Sequence, residues 1–208
     1  MSWSTAIESS IHPLDEARVP RDGQSRAPIS DYDLNRRPPR SPPLRPAAVL
    51  VPIVEHATGL TVLLTRRTDH LHDHAGQVSF PGGRVEDGDV DPAATALRET
   101  REEIGLEPSF VELAGCLDDY ETVTGYLVTP VVGFVRPGFT LELDDFEVAE
   151  AFEVPLEFIM DPANQRTGSR MRNGMRRHFY VFEYGRHEIW GATAGMLMNL
   201  HRRVRGAS

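Results

Sequence analysis

The sequence contains no lysine: all 22 of its basic residues are arginine. We read that as the coding bias of a GC-rich bacterial genome. It has one cysteine, Cys116, which excludes an internal disulfide and fits a reducing compartment. Cys116 is expected to be a small buried apolar residue rather than a nucleophile. No apolar run approaches the roughly 18 residues that cross a bilayer; the longest lies around "AAVLVPIV". The opening "MSWSTAIESS" has no basic stretch followed by an apolar one, so no secretory signal is expected and the setting reads as cytoplasmic. Positive charge is also short. A formal net charge of −9 argues against a nucleic-acid-binding surface. It leaves room for a phosphorylated substrate if a metal ion bridges the charges. There is no internal repeat, and no Ser/His/Asp order suggests a nucleophile triad.

What is present suits one domain with a sizeable core. The chain has 208 residues, 40% of them hydrophobic and 25% charged. Residues 1–45 stand apart, with seven prolines, seven arginines and few large apolar residues. They are expected to form an extended or partly ordered arm, with the domain proper at 46–208. "AAVLVPIVE" and "LTVLLTRR" read as two strands around the turn "HATG". "DPAATALRETREEIG" reads as a helix, with Asp91 as N-cap, Pro92 at the first helical position and Gly105 as the stop. "SFVELAGCL", "GYLVTPVVGFV", "RRHFYVFEY" and "HEIWG" read as further strands, and "VPLEFIMD" as a short helix. "ATAGMLMNLHRRV" reads as a closing helix with Met196, Leu197 and Leu200 facing the core. Strands on both sides of one helix, with another helix at the end, give a mixed α/β domain.

The first helix raises a question. Between Arg98 and Glu103 it carries three glutamates and two arginines. Glu99 lies three and four residues from Glu102 and Glu103, spacings at which like charges cost about 0.2–0.5 kcal/mol per pair. Ala93, Leu97, Thr100 and Ile104 fall on one stripe, expected to face the core, with the glutamates roughly opposite. One reading is a solvated face with Arg98–Glu102 as an i,i+4 pair. The other is a divalent-cation site, in which carboxylates one turn apart share a hard ion that also bridges to phosphate. The helix alone leaves both open.

The preceding segment, "GQVSFPGGRVEDGD", supplies glycines that let backbone approach a ligand, followed by an acidic loop. From Gly83 through Asp89, Arg98-Glu99 and Glu102-Glu103 to Gly105-Leu106 the pattern resembles the Nudix box, G-x5-E-x7-R-E-U-x-E-E-x-G-U, with U a bulky apolar residue. It departs in three places: Asp89 stands for Glu, the gap to Arg98 is one residue longer, and Thr100 holds the first U position. The upstream block "LLTRRTDHLHDHAGQVSFPGG" (63–83) is similar to the extra signature of the coenzyme A pyrophosphatase subfamily. Thr65, Arg67, Gly76, Gln77, Ser79 and Phe80 match it, while Thr68 and His72 depart. The one-residue slip in the box is also a feature of that subfamily. The resemblance spans roughly residues 46–205.

What the resemblance implies is an α/β/α sandwich with a mixed sheet and a loop–helix–loop motif. It implies hydrolysis of a nucleoside diphosphate derivative with Mg²⁺ or Mn²⁺. In the narrower form the substrate is coenzyme A or its derivatives, cleaved to 3′,5′-ADP and 4′-phosphopantetheine. The alternatives are another Nudix substrate, such as ADP-ribose or a dinucleoside polyphosphate, or a non-catalytic nucleotide-binding regulator. By the same resemblance Glu99 and Glu103 are the main metal ligands and Glu102 a further ligand or the base. The Gly83 carbonyl is a backbone ligand, and Arg98 orients the carboxylates. Arg67, Gln77, Ser79 and Gly82 are expected at the substrate, with Arg67 and Gly82 at its phosphates and Gln77 within reach of the nucleotide end or the pantetheine arm. Glu147 and Glu150, in the later segment "DDFEVAEAFEVPL", are further candidates for the base. The implied partner is a small nucleotide, with no nucleic acid and no membrane; a homodimer is allowed. His70, His72 and His74 read as a loop beside the phosphate site. The arginine-rich "RTGSRMRNGMRR" (166–177) reads as a solvated hairpin turning at Asn173-Gly174, with a clamp for a substrate phosphate, such as the 3′-phosphate of coenzyme A, as the sharper reading.

Overall fold

The computed structural model describes residues 2–14, 29–35, 43–70, 74–172 and 174–206. Two long strands, β2 (Arg45–His56) and β8 (Tyr126–Val135), pair in parallel over ten residues, from Arg45↔Tyr126 to Val54↔Val135. Strand β2 turns back antiparallel into β3 (Gly59–Arg67), which pairs on its far side with β9 (Val148–Pro155) and at its end with β4 (Val78–Ser79). Short β5 (Gly82–Arg84) pairs with β2, while β6 (Val111–Cys116) and β7 (Tyr120–Glu121) pair with β8. Parallel and antiparallel ladders therefore mix in one sheet, as the α/β expectation required. A second, antiparallel sheet holds β10 (Arg166–Arg172), β11 (Met175–Tyr184) and β12 (His187–Trp190).

Period-two alternation puts the core on both faces of the large sheet. Val51, Ile53, Val62 and Leu64 face one side, against Leu197 and Leu200 of helix α4 (Ala192–Gly206) and Leu156 and Ile159 of α3 (Leu156–Met160). Leu50, Val54 and Leu63 face the other side, against Ala96 and Ile104 of α2 (Pro92–Ile104). The result is the α/β/α sandwich. Met196, Leu197 and Leu200 are buried as their spacing predicts.

Helix α2 begins and ends where its residues dictate. The Asp91 carboxylate accepts from Ala94 N at 2.7 Å, Pro92 opens the helix, and Gly105 closes it in the left-handed region at φ 67°. The core stripe differs from the expected one. Thr100 and Ile104 are buried, but Ala93 and Leu97 are only half-buried, and Ala96 and Glu103 take inner positions. The helix is rotated so that one acidic residue faces inward, which apolar periodicity could not signal. The segment 148–155, most of it given no element in the sequence reading, is strand β9; its alanines and glutamates mask the alternation.

The N-terminal segment is built into the body wherever it is described. Helix α1 (Trp3–Glu8) buries Ile7 in the core, and the two-residue strand β1 (Ile29–Ser30) pairs in parallel with β7. Residues 15–28 and 36–42 of the expected arm lie outside the described residues, as do His72 and Asn173.

Candidate active site

Three elements meet at the acidic face of α2. The first is β5, whose register places Gly83 opposite Ala48 and Gly82 opposite Val49. A Cβ on Gly83 would lie 2.5–2.6 Å from the Glu99 carboxylate, and one on Gly82 would collide with the Ala48 carbonyl. Gly82 is thus required by close approach of backbone, while at Gly83 the Glu99 carboxylate rests directly on the β5 backbone.

The second is Glu103 itself. Its side chain is only 8% exposed, and its Oε2 accepts from Gly82 N at 3.2 Å. Burial pushes its pKa up to about 8, helped by the neighbouring Glu147 and Glu99 charges and opposed by Gly82 N–H and Arg67. Burial also raises the pKa of Glu99, against the pull of Arg98.

The third is an Arg98-centred clamp. Its Nε and Nη2 donate to the two oxygens of Asp89 at 3.1 and 2.9 Å, and Nη1 donates to Glu99 at 3.0 Å and Glu102 at 2.9 Å. Nη2 also donates to the Arg84 carbonyl at 3.1 Å. Asp89 further accepts from Glu86 N and Thr95 Oγ1, and Arg98 holds its carboxyl well below the usual carboxylate range. The role of Asp89 is therefore to brace Arg98, and its oxygens are fully engaged in doing so. The slipped spacing of the sequence concealed this; an acid nine residues ahead of a helical arginine was the available signal.

Arg67, at the end of β3, reaches toward Glu103 and Glu147, at 3.8 Å from each. Its buried Nε has no hydrogen-bond partner among the described residues. Its backbone N donates to the Gln77 carbonyl, and the Gln77 side chain meets His74 Nδ1 at 2.7 Å. Thr65 Oγ1 lies 3.2 Å from Ser79 Oγ. Glu147 is brought to the cluster, where its charge acts on both Glu99 and Glu103. Glu150 is not. It sits on β9 opposite Arg66, on the other face of β3, and pairs with Arg186 at 2.6 Å and His187 at 3.5 Å. Its candidacy as base is corrected on that ground. His70 packs on Phe146 and stands apart from the carboxylates. Cys116 is buried.

The residues fit a divalent cation in kind. A buried carboxylate with an elevated pKa, a second carboxylate pressed against a glycine backbone, and a third on the next turn make an excess of negative charge that a cation would offset. As they stand, no three acidic, imidazole or thiol groups among the described residues converge as a ready cage. Arg98 holds Glu99 and Glu102 in the interim, and a hard ion that keeps its own waters needs few protein ligands.

Beside this cluster opens a cavity of about 450 Å³. Arg67, Gln77, Ser79 and Gly82 all line it, so the four residues expected at the substrate share one space. Sequence reasoning missed the rest of its wall. Asp31 and Asn35 come from the N-terminal segment, and Arg170 and Arg177 from the hairpin read as solvated.

This chain belongs to the Nudix family: the model of the NUDIX domain matches residues 43–173. It is a Nudix hydrolase, and acts on phosphoric anhydride bonds of nucleotide derivatives; enzymes of the family generally use divalent metal ions. Among its relatives is the uncharacterized Nudix hydrolase NudL of Shigella flexneri serotype 5b, 41% identical over 86% of this chain and 92% of that one. NudL of Escherichia coli K12 is 43% identical over 77% and 83%. A solved MutT/nudix family protein from Enterococcus faecalis shares the fold, with a TM-score of 0.51 at 17% identity over 83% of this chain and 66% of that one. No helix among the described residues is long and apolar enough to cross a membrane.

Proposed function

We propose that this enzyme hydrolyses the diphosphate of coenzyme A or its thioesters, using Mg²⁺ or Mn²⁺, to 3′,5′-ADP and (acyl-)4′-phosphopantetheine. The observation that carries the reading is the convergence of Arg67, Gln77, Ser79 and Gly82, from the block 63–83, on one cavity beside the buried Glu103. Those residues distinguish the block from a generic Nudix box. A cytoplasmic setting is part of the same reading, supported by the single cysteine.

Glu99, Glu103 and the Gly83 carbonyl would hold the cation, with Glu102 as a further ligand. When bound, the cation would neutralise diphosphate charge and lower the pKa of water. Arg67 presents a planar donor fork to the phosphate oxygens. Arg98 fixes the carboxylates of Glu99 and Glu102. A base must take a proton from the attacking water. Glu147 is suited to that role: its side chain is 43% exposed, so it can meet solvent water, and it stands beside Arg67. Glu102 is the alternative base.

The test is kcat/KM across coenzyme A, acyl-coenzyme A, ADP-ribose and a dinucleoside polyphosphate, with and without chelator. Coenzyme A and its thioesters should lead the panel, and chelator should abolish turnover. A lead for ADP-ribose or a dinucleoside polyphosphate would remove the narrower substrate and leave the Nudix activity standing.

A further inference from the structure

The cavity contains an electrostatic imbalance that the reaction centre does not explain. Arg170 on β10 and Arg177 on β11 are directly opposite in register, so both guanidinium groups stand on one face of the small sheet. Like charges in that position repel. Arg170 is compensated. It donates to Glu188 at 2.7 Å and lies 4.4 Å over the Trp190 ring. Among the described residues Arg177 has no such ion pair, and its buried Nε has no hydrogen-bond partner.

Asp31 does not satisfy it either. Asp31 belongs to the strap Ile29–Asn35, and its charge is felt at Arg177. Its oxygens are spent elsewhere, on Tyr120 Oη at 2.9 Å and Val123 N at 2.8 Å, and burial raises its pKa. The strap is tied at its other end to β11 itself. Asn35 Nδ2 donates to the His178 carbonyl at 3.0 Å, and His178 N donates to Asn35 Oδ1 at 2.8 Å. This two-way bond fixes the backbone next to Arg177. An arginine is thereby held in place at the cavity wall, beside aromatic Phe179 and Trp190, with donor capacity unused.

We propose that Arg177 is a specificity residue that recognises a phosphate carried on the ribose of the nucleotide half of the substrate, away from the scissile diphosphate. Asn35 and Asp31 are the positioning residues that hold it there through the strap. A half-buried guanidinium at a cavity wall, with no ion pair among the described residues, is most strongly satisfied by a multiply charged oxyanion. The aromatic surface beside it suits a nucleoside. The inference deepens the coenzyme A reading, since that substrate bears such a phosphate.

The test needs no turnover. 3′,5′-ADP and 5′-AMP differ by that one phosphate, and each is titrated calorimetrically into the full chain. The wild type should bind 3′,5′-ADP at least about tenfold more tightly, with the preference shrinking as salt rises. Arg177→Gln should bring the two within about twofold, the loss falling on 3′,5′-ADP. Asn35→Ala should erode the preference in part while thermal unfolding stays near wild type. Arg177→Lys, which keeps the charge but not the fork, should retain an intermediate preference and serves if the Gln variant does not fold. Equal affinities in the wild type, or an unchanged preference in Arg177→Gln, overturn the inference. The two readings fail separately. A preference for 3′,5′-ADP without turnover of coenzyme A removes the substrate and leaves the subsite; turnover of coenzyme A without the preference does the reverse.

Discussion

The acidic cluster, which meets the neighbouring cavity at Gly82, and the far wall of that cavity are built in different ways, and they serve as a catalytic wall and a recognition wall. The catalytic wall comes from a short stretch of chain: Gly82, Gly83, Asp89, Arg98, Glu99, Glu102 and Glu103 all lie within β5, α2 and the loop between. The recognition wall is gathered from afar, with Asn35 bonded to His178 across 143 positions. A local wall can be held rigid by one helix cap and one arginine clamp. A gathered wall is only as firm as the links between its pieces. Changes in the first should therefore act on kcat, and changes in the second on KM.

The sharpest break of that contrast is Glu103→Gln. It should lower kcat by at least about 10²-fold, as removal of a charge-stabilising group does. Its amide can still accept from Gly82 N, so circular dichroism and the melting temperature should hold. Near-normal turnover would take Glu103 out of the site. Next come the two later acids. Glu147→Gln should lower kcat by about 10²-fold with little change in KM, the scale of a lost general base. Glu150→Gln should stay near wild type, because its carboxylate faces Arg186 and His187. Steady-state kinetics decide both, and equal normality of the pair would assign the base to Glu102.

Arg67→Ala tests the seam between the walls. It should raise KM for coenzyme A by about tenfold, the order expected for one lost charge-assisted contact, and leave the melting temperature little changed. A fall in kcat alone would place Arg67 wholly in the catalytic wall. Among the residues of the catalytic wall the smallest kinetic effect is expected from Asp89→Asn, which loosens Arg98 without touching Glu99 or Glu103. Stability should drop by about 1.5–3 kcal/mol, the range for hydrogen bonds to charged groups. The sign in pH is fixed. Folded Asp89 is held below its ordinary carboxylate range, so the unfolded chain takes up the proton first. Its contribution is present above pH of about 4 and is lost as pH falls below that. Denaturant titrations from pH 7 to 3 should show a shallower acid limb in the variant.

The catalytic wall was legible in the sequence because spacing along one helix is geometry. Asp91, Pro92 and Gly105 marked the ends of α2, and Arg98 to Glu103 marked its charged turns. What could not be read was the roll of that helix. Glu103 is buried because Gly82 N–H and Arg67 come from other elements to meet it. The strands β2, β3 and β8 were evident from continuous apolar runs, while β9 was hidden by alanine and glutamate. The cavity's far wall left one local trace, the arginines of 166–177, which composition alone did not tell from a solvated hairpin. Proline and arginine content marked residues 1–45 as an arm, yet Ile7 packs in the core and Asp31 is hydrogen-bonded to Tyr120 and Val123. Arg177 looked like one of many surface arginines until register put it opposite Arg170.

The bond between Asn35 and His178 also sets an order of events during synthesis. The strap leaves the ribosome early, but its partner strand β11 emerges only after nearly the whole domain has been made. Pairing across that distance carries a large loop-closure cost and comes late in folding. A chain of which the first 160 residues have emerged contains the residues of the acidic helix and of β2 and β8, and lacks β10 to β12. The residues of the chemistry are thus synthesised before those that complete the selectivity.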